Sequence, residues 1–395
     1  MKVSTGIQEK IASAMKQAAV DLLLLTGPDS ITWVTGVSLP FVPSMFYGKL
    51  AVLVAPSGAV YCVCPAHLAS SMEHQGIAGE LLSYNLYGDD STAFLDVMLA
   101  LIQRLQPEPR TIGFDGNRMS AEFTQAMQEQ CAGKRFSDVG DWILELRSVK
   151  TSDELELLEE AAFRTDHGIN GQFHHTLSAK QVSLMGLAEN VRVHCMERFL
   201  DEAGYSRVSR ITTQDKPGRF FPFDEIHGFN YGFCELKKTV TGQMYTVSMN
   251  ATYQGYWSTG SRILSYGSYT EAQERDYAQI NRLRALLLDA IKPGLRCSDV
   301  YHKVRAAAIT ENINLVPDIG FGHGVGVCVR EAPYLTEDCD MLIKADMVLV
   351  LDQAVYGQHG EILRSKDTIL VSETDNRLLN WWKDWREPYF PIEFL

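Results

Sequence analysis

The stretch Phe321–Leu335, FGHGVGVCVREAPYL, sets His323 between two glycines and places an arginine–glutamate pair, Arg330-Glu331, seven residues further on. Two apolar runs follow it, Met347–Tyr356 (MVLVLDQAVY) and Ser365–Ser372 (SKDTILVS), both of strand length and both interrupted by charge. Upstream, Gln243–Gly267 (QMYTVSMNATYQGYWSTGSRILSYG) reads as a β-hairpin. Ser268–Ile291 reads as a long helix ended by Lys292-Pro293-Gly294, and Cys297–Asn312 as a further helix capped by Ser298.

The first part of the chain alternates differently. Gly6–Val20 has helical periodicity, whereas Asp21–Gly27 (DLLLLTG) and Ile31–Val37 (ITWVTGV) read as buried strands. Gly48–Pro65 reads as two strands joined at Pro56-Ser57-Gly58, Ser91–Pro107 as an amphipathic helix and Thr111–Gly116 as a short strand. This alternation predicts an α/β domain. A boundary falls where Thr151, Ser152 and Asp153 offer N-caps to an acidic helix start, giving domains 1–148 and 149–395. A second helix is expected over about 180–203, then an irregular segment over about 204–235.

Composition sets outer limits. The 395 residues, 46% hydrophobic and 22% charged, suffice for two large cores. A net charge of -13 repels phosphate and argues against nucleic acid or an anionic membrane as partner. No apolar run reaches roughly 18 residues, the length needed to span a bilayer. The eight cysteines are scattered, only Cys62 and Cys64 being close, which is the usage of reduced thiols in a cytoplasmic protein.

Four ordered segments together, IKPGLRCSDVYHKV, GHGVG…EAPYL, MVLVLDQAVY and GEILRSKDTILV, resemble the pita-bread family of methionine aminopeptidase, Xaa-Pro aminopeptidase, prolidase and creatinase. The resemblance implies an α/β N-terminal creatinase-like domain plus an α+β pita-bread C-terminal domain. The peptidases of that family hold two divalent metals with two Asp, one His and two Glu, because several carboxylates must offset two dications. Tyr253, Gly255 and Tyr256 fix the register of the hairpin against the family pattern. The five ligand positions then fall on Ser248, Thr259, His323, Asp352 and Lys366. Neutral hydroxyls are poor ligands for such metals, and a lysine ammonium repels them. The expectation is therefore a site without metal or cofactor, rebalanced in charge by Lys366 opposite Asp352.

Creatinase is the family's metal-free precedent, and its R-E-A resembles Arg330-Glu331-Ala332 here. By that resemblance His323 is the acid–base group, assisted by Asp352 or Glu331. Lys366 stabilises developing negative charge or, if desolvation lowers its pKa, serves as a base. Arg330, with Arg364 nearby, suits a substrate carboxylate. Creatinase's proton-shuttling histidine has no match; ungapped counting lands on Tyr231, with His227 as the other candidate. Ser248 and Thr259 complete the substrate-facing set. In the creatinase branch the N-terminal domain of one subunit covers the other's site, which implies a homodimer and makes Phe46, Tyr47 and Lys49 covering residues.

Three functions are expected. The first is a metal-independent, non-peptidase hydrolase of C–N bonds in a small carboxylate-bearing nitrogen compound. The second is a metal-free biosynthetic enzyme of the same fold, a lyase or cyclase or one doing proton transfer. The third is a non-catalytic peptide- or protein-binding module.

Overall fold

The structure, a computed structural model, describes residues 5–39, 49–86, 93–116, 118–175, 205–210, 243–266, 270–317, 319–358, 360 and 362–380. The chain divides into two compact units, Met1–Arg147 and Ser148–Leu395. No helix among the described residues is long and apolar enough to cross a membrane.

The first unit is built on a six-stranded sheet. β1 (Leu22–Thr26) is buried at every position and lies between β2 (Ala51–Val54) and β5 (Thr111–Phe114). β3 (Val60–Pro65) and β4 (Glu80–Tyr84) extend one edge, and β6 (Arg135–Asp138) the other. β2 and β3 form the hairpin expected around Pro56-Ser57-Gly58, with Gly58 at φ 84. Helices α1 (Thr5–Gln17), α3 (Ala66–His74), α4 (Ala93–Arg104), α5 (Ala121–Gln130) and α6 (Gly140–Ser148) alternate with these strands along the chain.

Ile31–Val37 is not a strand. It lies largely in helix α2 (Pro28–Thr35), all of whose residues are buried, so its apolar side chains show no helical periodicity. The deciding signals are punctuation: Pro28 in the first turn, and Gly36 in the left-handed conformation (φ 73) donating its N–H to the Thr32 carbonyl. Asp29, also buried in α2, is held by Arg118 and Arg147, each at 2.9 Å.

The second unit begins with α7 (Ser152–His175), whose start is a capping box: Thr151 Oγ1 accepts from Glu154 N–H, and Glu154 accepts from Thr151 N–H at 2.8 Å. Its sheet runs β11 (Glu331–Tyr334), β10 (Gly322–Gly324), β12 (Val348–Tyr356), β13 (Ile362–Leu370), β9 (Tyr256–Tyr266), β8 (Gln243–Tyr253) and β7 (Tyr205–Arg210). β14 (Arg377–Leu378) pairs with β13. β7 is a regular strand within the segment expected to be irregular; it borders β8 through backbone pairing that composition does not reveal. β8 and β9 turn at Gln254 and Gly255, both with positive φ, as a two-residue hairpin loop requires.

Helices α8 (Glu271–Ala290) and α9 (Cys297–Thr310) pack on one layer of core with Leu349, Leu351 and Val355 of β12, Leu363 and Ile369 of β13, and Val371 just after it. Ser298 does not cap α9. Arg296 occupies the N-cap and Ser298 sits inside the first turn, because the chain enters the helix directly from a bridge between Arg296 and Leu342. Alternation along β12 and β13 turns the intervening residues, Asp352, Arg364 and Lys366, to the opposite face.

β10 is pressed between its neighbours. A Cβ on Gly322 (φ 154) would overlap the Val350 carbonyl oxygen, and one on Gly324 would overlap that of Ala332. Gly322→Ala is expected to lower unfolding stability by about 1–3 kcal/mol, read as a drop in thermal midpoint, because backbone leaves no room for repacking. An unchanged midpoint would show that β10 can move away from β12.

Candidate functional site

Register carries the site across the sheet. Asp352 on β12 stands opposite Lys366 on β13, Lys366 opposite Ser261 on β9, and Ser261 opposite Ser248 on β8. Residues directly opposite share a face, so the four form one row. His323 pairs with Val350, two residues before Asp352 on the same face.

The charged members of the row and their neighbours are buried. Lys366 and His323 have no exposed surface, Asp352 is 2% exposed and Arg364 6%. Arg364 donates to both carboxylate oxygens of Asp352 through Nε and Nη2, a bidentate pair. Lys366 Nζ lies 3.8 Å from Asp352 Oδ2. Ser248 and Ser261 share a hydroxyl hydrogen bond of 2.6 Å. Thr259 is fully buried, its backbone carbonyl accepting from Thr368 Oγ1 at 3.1 Å while Oγ1 itself meets no hydrogen-bonding partner among the described residues.

His323 Nδ1 is 2.9 Å from the Gly324 carbonyl oxygen. A carbonyl only accepts, so that contact places the proton on Nδ1 and makes Nε2 the basic nitrogen of the neutral ring.

Glu331 forms an ion pair of 2.7 Å with Lys150, both nearly fully buried. Sequence reading missed Lys150, which lies 181 residues away in the chain and joins the site only through folding. Arg330 is half-buried, its guanidinium 5.9 Å from the Tyr334 ring. Lys49 is exposed in the first unit, its carbonyl accepting from Tyr84 at 2.8 Å. Phe46, Tyr47, His227 and Tyr231 lie outside the described residues.

These residues do not fit a pair of divalent metals. Of the five positions that the family resemblance marks, Ser248 and Thr259 are neutral hydroxyls. Lys366 is a buried cation, and Asp352 already neutralises Arg364. Among the described residues no group of three or more His, Cys, Asp or Glu is placed to hold a metal.

Behind the row, Asp367 faces the helix layer, where Arg284 of α8 reaches it at 2.8 Å and Arg262 of β9 at 3.0 Å. Arg262 also donates to the carbonyls of Ser261 and Lys366. This cluster clamps β9 to β13 at the level of the site.

Comparison with known proteins gives the family. Residues 8–149 match the creatinase/prolidase N-terminal domain, and residues 222–373 match metallopeptidase family M24. The chain thus joins a creatinase/prolidase N-terminal domain to a metallopeptidase family M24 domain. A Xaa-Pro dipeptidase from Pyrococcus furiosus is 22% identical over 292 residues, covering 70% of this chain and 76% of its own. Among solved structures, a Xaa-Pro dipeptidase from Bacillus anthracis superposes with a TM-score of 0.74 at 18% identity, covering 98% of both chains. An X-Pro aminopeptidase from Thermotoga maritima gives 0.76 at 14% identity, covering 97% of this chain and 99% of its own.

These findings correct one expectation. The creatinase-like reading, a non-peptidase C–N hydrolase, lyase or cyclase, is overturned by relatives and structural neighbours that are Xaa-Pro peptidases. That reading leaned on Arg330-Glu331-Ala332. In the fold, Glu331 is committed to Lys150, so the tripeptide carries less information about chemistry than its spelling suggests.

Proposed function

We propose that this M24 chain acts on short peptides of the Xaa-Pro class as a metal-independent hydrolase. The observation that carries the reading is Lys366, a fully buried ammonium beside Asp352 at a position where the family resemblance places a metal-binding carboxylate. A fixed cation there supplies the positive charge that otherwise stabilises an oxyanion. His323 Nε2 accepts a proton from attacking water and returns it to the leaving amine. Arg330, half-buried on β10's outgoing segment, suits the carboxylate of a dipeptide.

The test is hydrolysis of a panel of Xaa-Pro dipeptides by protein stripped with chelator, with and without added manganese or cobalt. Equal rates are expected in both, and His323→Gln should lower kcat/KM by about 10²–10⁴-fold, the usual worth of general acid–base catalysis. Activity that appears only on adding metal would overturn the reading.

One observation favours a second reading, a peptide-binding module without turnover. Glu331 and Asp352 are each engaged in a buried ion pair, and a carboxylate so stabilised is a weak base. Saturable peptide binding in calorimetry with no product released would select it.

A further inference from the structure

Two cysteines outside the site are brought together where α9 begins. The segments around them run side by side: Cys297 N–H donates to the Met341 carbonyl at 3.0 Å, and Ser298 N–H donates to the Cys339 carbonyl at 2.9 Å. Arg296 and Leu342 bridge next to them. Cys297 is wholly buried and Cys339 partly exposed, on segments held together by these backbone bonds.

The two sulfurs differ in character. The hydrogen bond from Cys297, with further ones from the Met341 and Tyr334 N–H groups, brings the Cys339 thiol down to about 6, against opposition from burial and the Asp338 charge. Donating that bond, together with burial, drives Cys297 the other way. Elsewhere burial pushes the Cys62, Cys64 and Cys131 thiols up, Cys64 to about 11. Thiolate character, access to solvent and an adjacent second thiol are the features of an oxidation-sensitive pair.

We propose that Cys339 and Cys297 form a peroxide-oxidised disulfide site, with Cys339 as the attacking and Cys297 as the resolving sulfur. The Cys339 thiolate attacks one oxygen of a hydroperoxide. The O–O bond breaks, sulfur is oxidised to a sulfenic acid, and the other oxygen leaves as water or alcohol after taking a proton. Cys297 sulfur then attacks Cys339 sulfur; the S–O bond breaks and water leaves with the Cys297 proton. Two thiols and one peroxide thus yield one disulfide and two molecules of water, or one of water and one of alcohol. Forming the disulfide requires the two sulfurs to close to about 2.05 Å, and the adjoining backbones already lie side by side.

The tryptic peptides Cys297–Lys303 and Glu331–Lys344 each contain a single cysteine, so the product is readable. The full chain is treated with stoichiometric hydrogen peroxide and digested without reductant. The expected result is a crosslinked pair of these two peptides, lighter by two hydrogens than their sum and separated by dithiothreitol. In Cys297→Ser the crosslink disappears and Cys339 becomes trapped by dimedone as the sulfenic acid. Cys339 remaining a free thiol in the wild-type chain after treatment would overturn the proposal. So would pairing of either cysteine with a different one. The wild-type digest decides the matter whether or not the variant folds.

Discussion

Replacement of Asp352 by asparagine lowers the unfolding free energy of the C-terminal unit by about 3–5 kcal/mol, the usual cost of removing one partner from a buried ion cluster. Asparagine keeps the shape of the side chain and removes only its charge. Arg364 then loses its bidentate acceptor, and Lys366, with no exposed surface, loses the carboxylate 3.8 Å away. Lys366 has no solvent-exposed surface and Arg364 only 6%. Urea titration followed by far-UV circular dichroism measures the loss. Adding Arg364→Met and Lys366→Met to the same chain is expected to recover most of it, because apolar replacement of a whole buried cluster is close to neutral. A loss under about 1 kcal/mol for the single variant, the range of exposed pairs, would mean that water reaches the row.

The second large effect belongs to Asp367. Its replacement by asparagine removes the carboxylate charge that Arg262 and Arg284 contact at 3.0 and 2.8 Å; the two are 8% and 4% exposed. Burial already pushes the Arg284 guanidinium down, and Asp367 is the largest influence opposing that. The expected loss is again about 3–5 kcal/mol, but its location differs. Arg262 ties Asp367 to the carbonyls of Ser261 and Lys366, so the seam between β9 and β13 loosens. Hydrogen exchange should rise at the amides of that seam while the six-stranded sheet of the first unit keeps its protection. Uniform loss of protection across both units would show that Asp367 supports global stability and not the seam.

The two variants separate what pattern and folding each contribute. The apolar runs of β12 and β13 were legible because both faces are buried and the runs are of strand length. The β8–β9 hairpin was legible because Gln254-Gly255 supplies the positive φ of a tight loop. α2 was not, since a helix buried on all sides has no polar face and loses its period. β10 and β11 were hidden in a glycine-rich motif, where short strands of three and four residues leave no alternation to read.

The sequence by itself marked the two domain types and put Ser248, Thr259 and Lys366 where the family resemblance sets metal-binding carboxylates. Both depend only on residue identity at spacings set by local structure. Tertiary structure alone decided which charges meet. The cross-strand register puts Lys366 beside Asp352, Arg364 takes both oxygens of that carboxylate, and Lys150 crosses 181 residues of chain to neutralise Glu331. The Cys297–Cys339 pair likewise exists only where two segments lie side by side. A buried charge is governed by its nearest neighbours in a medium of low polarity, and those neighbours are chosen by packing.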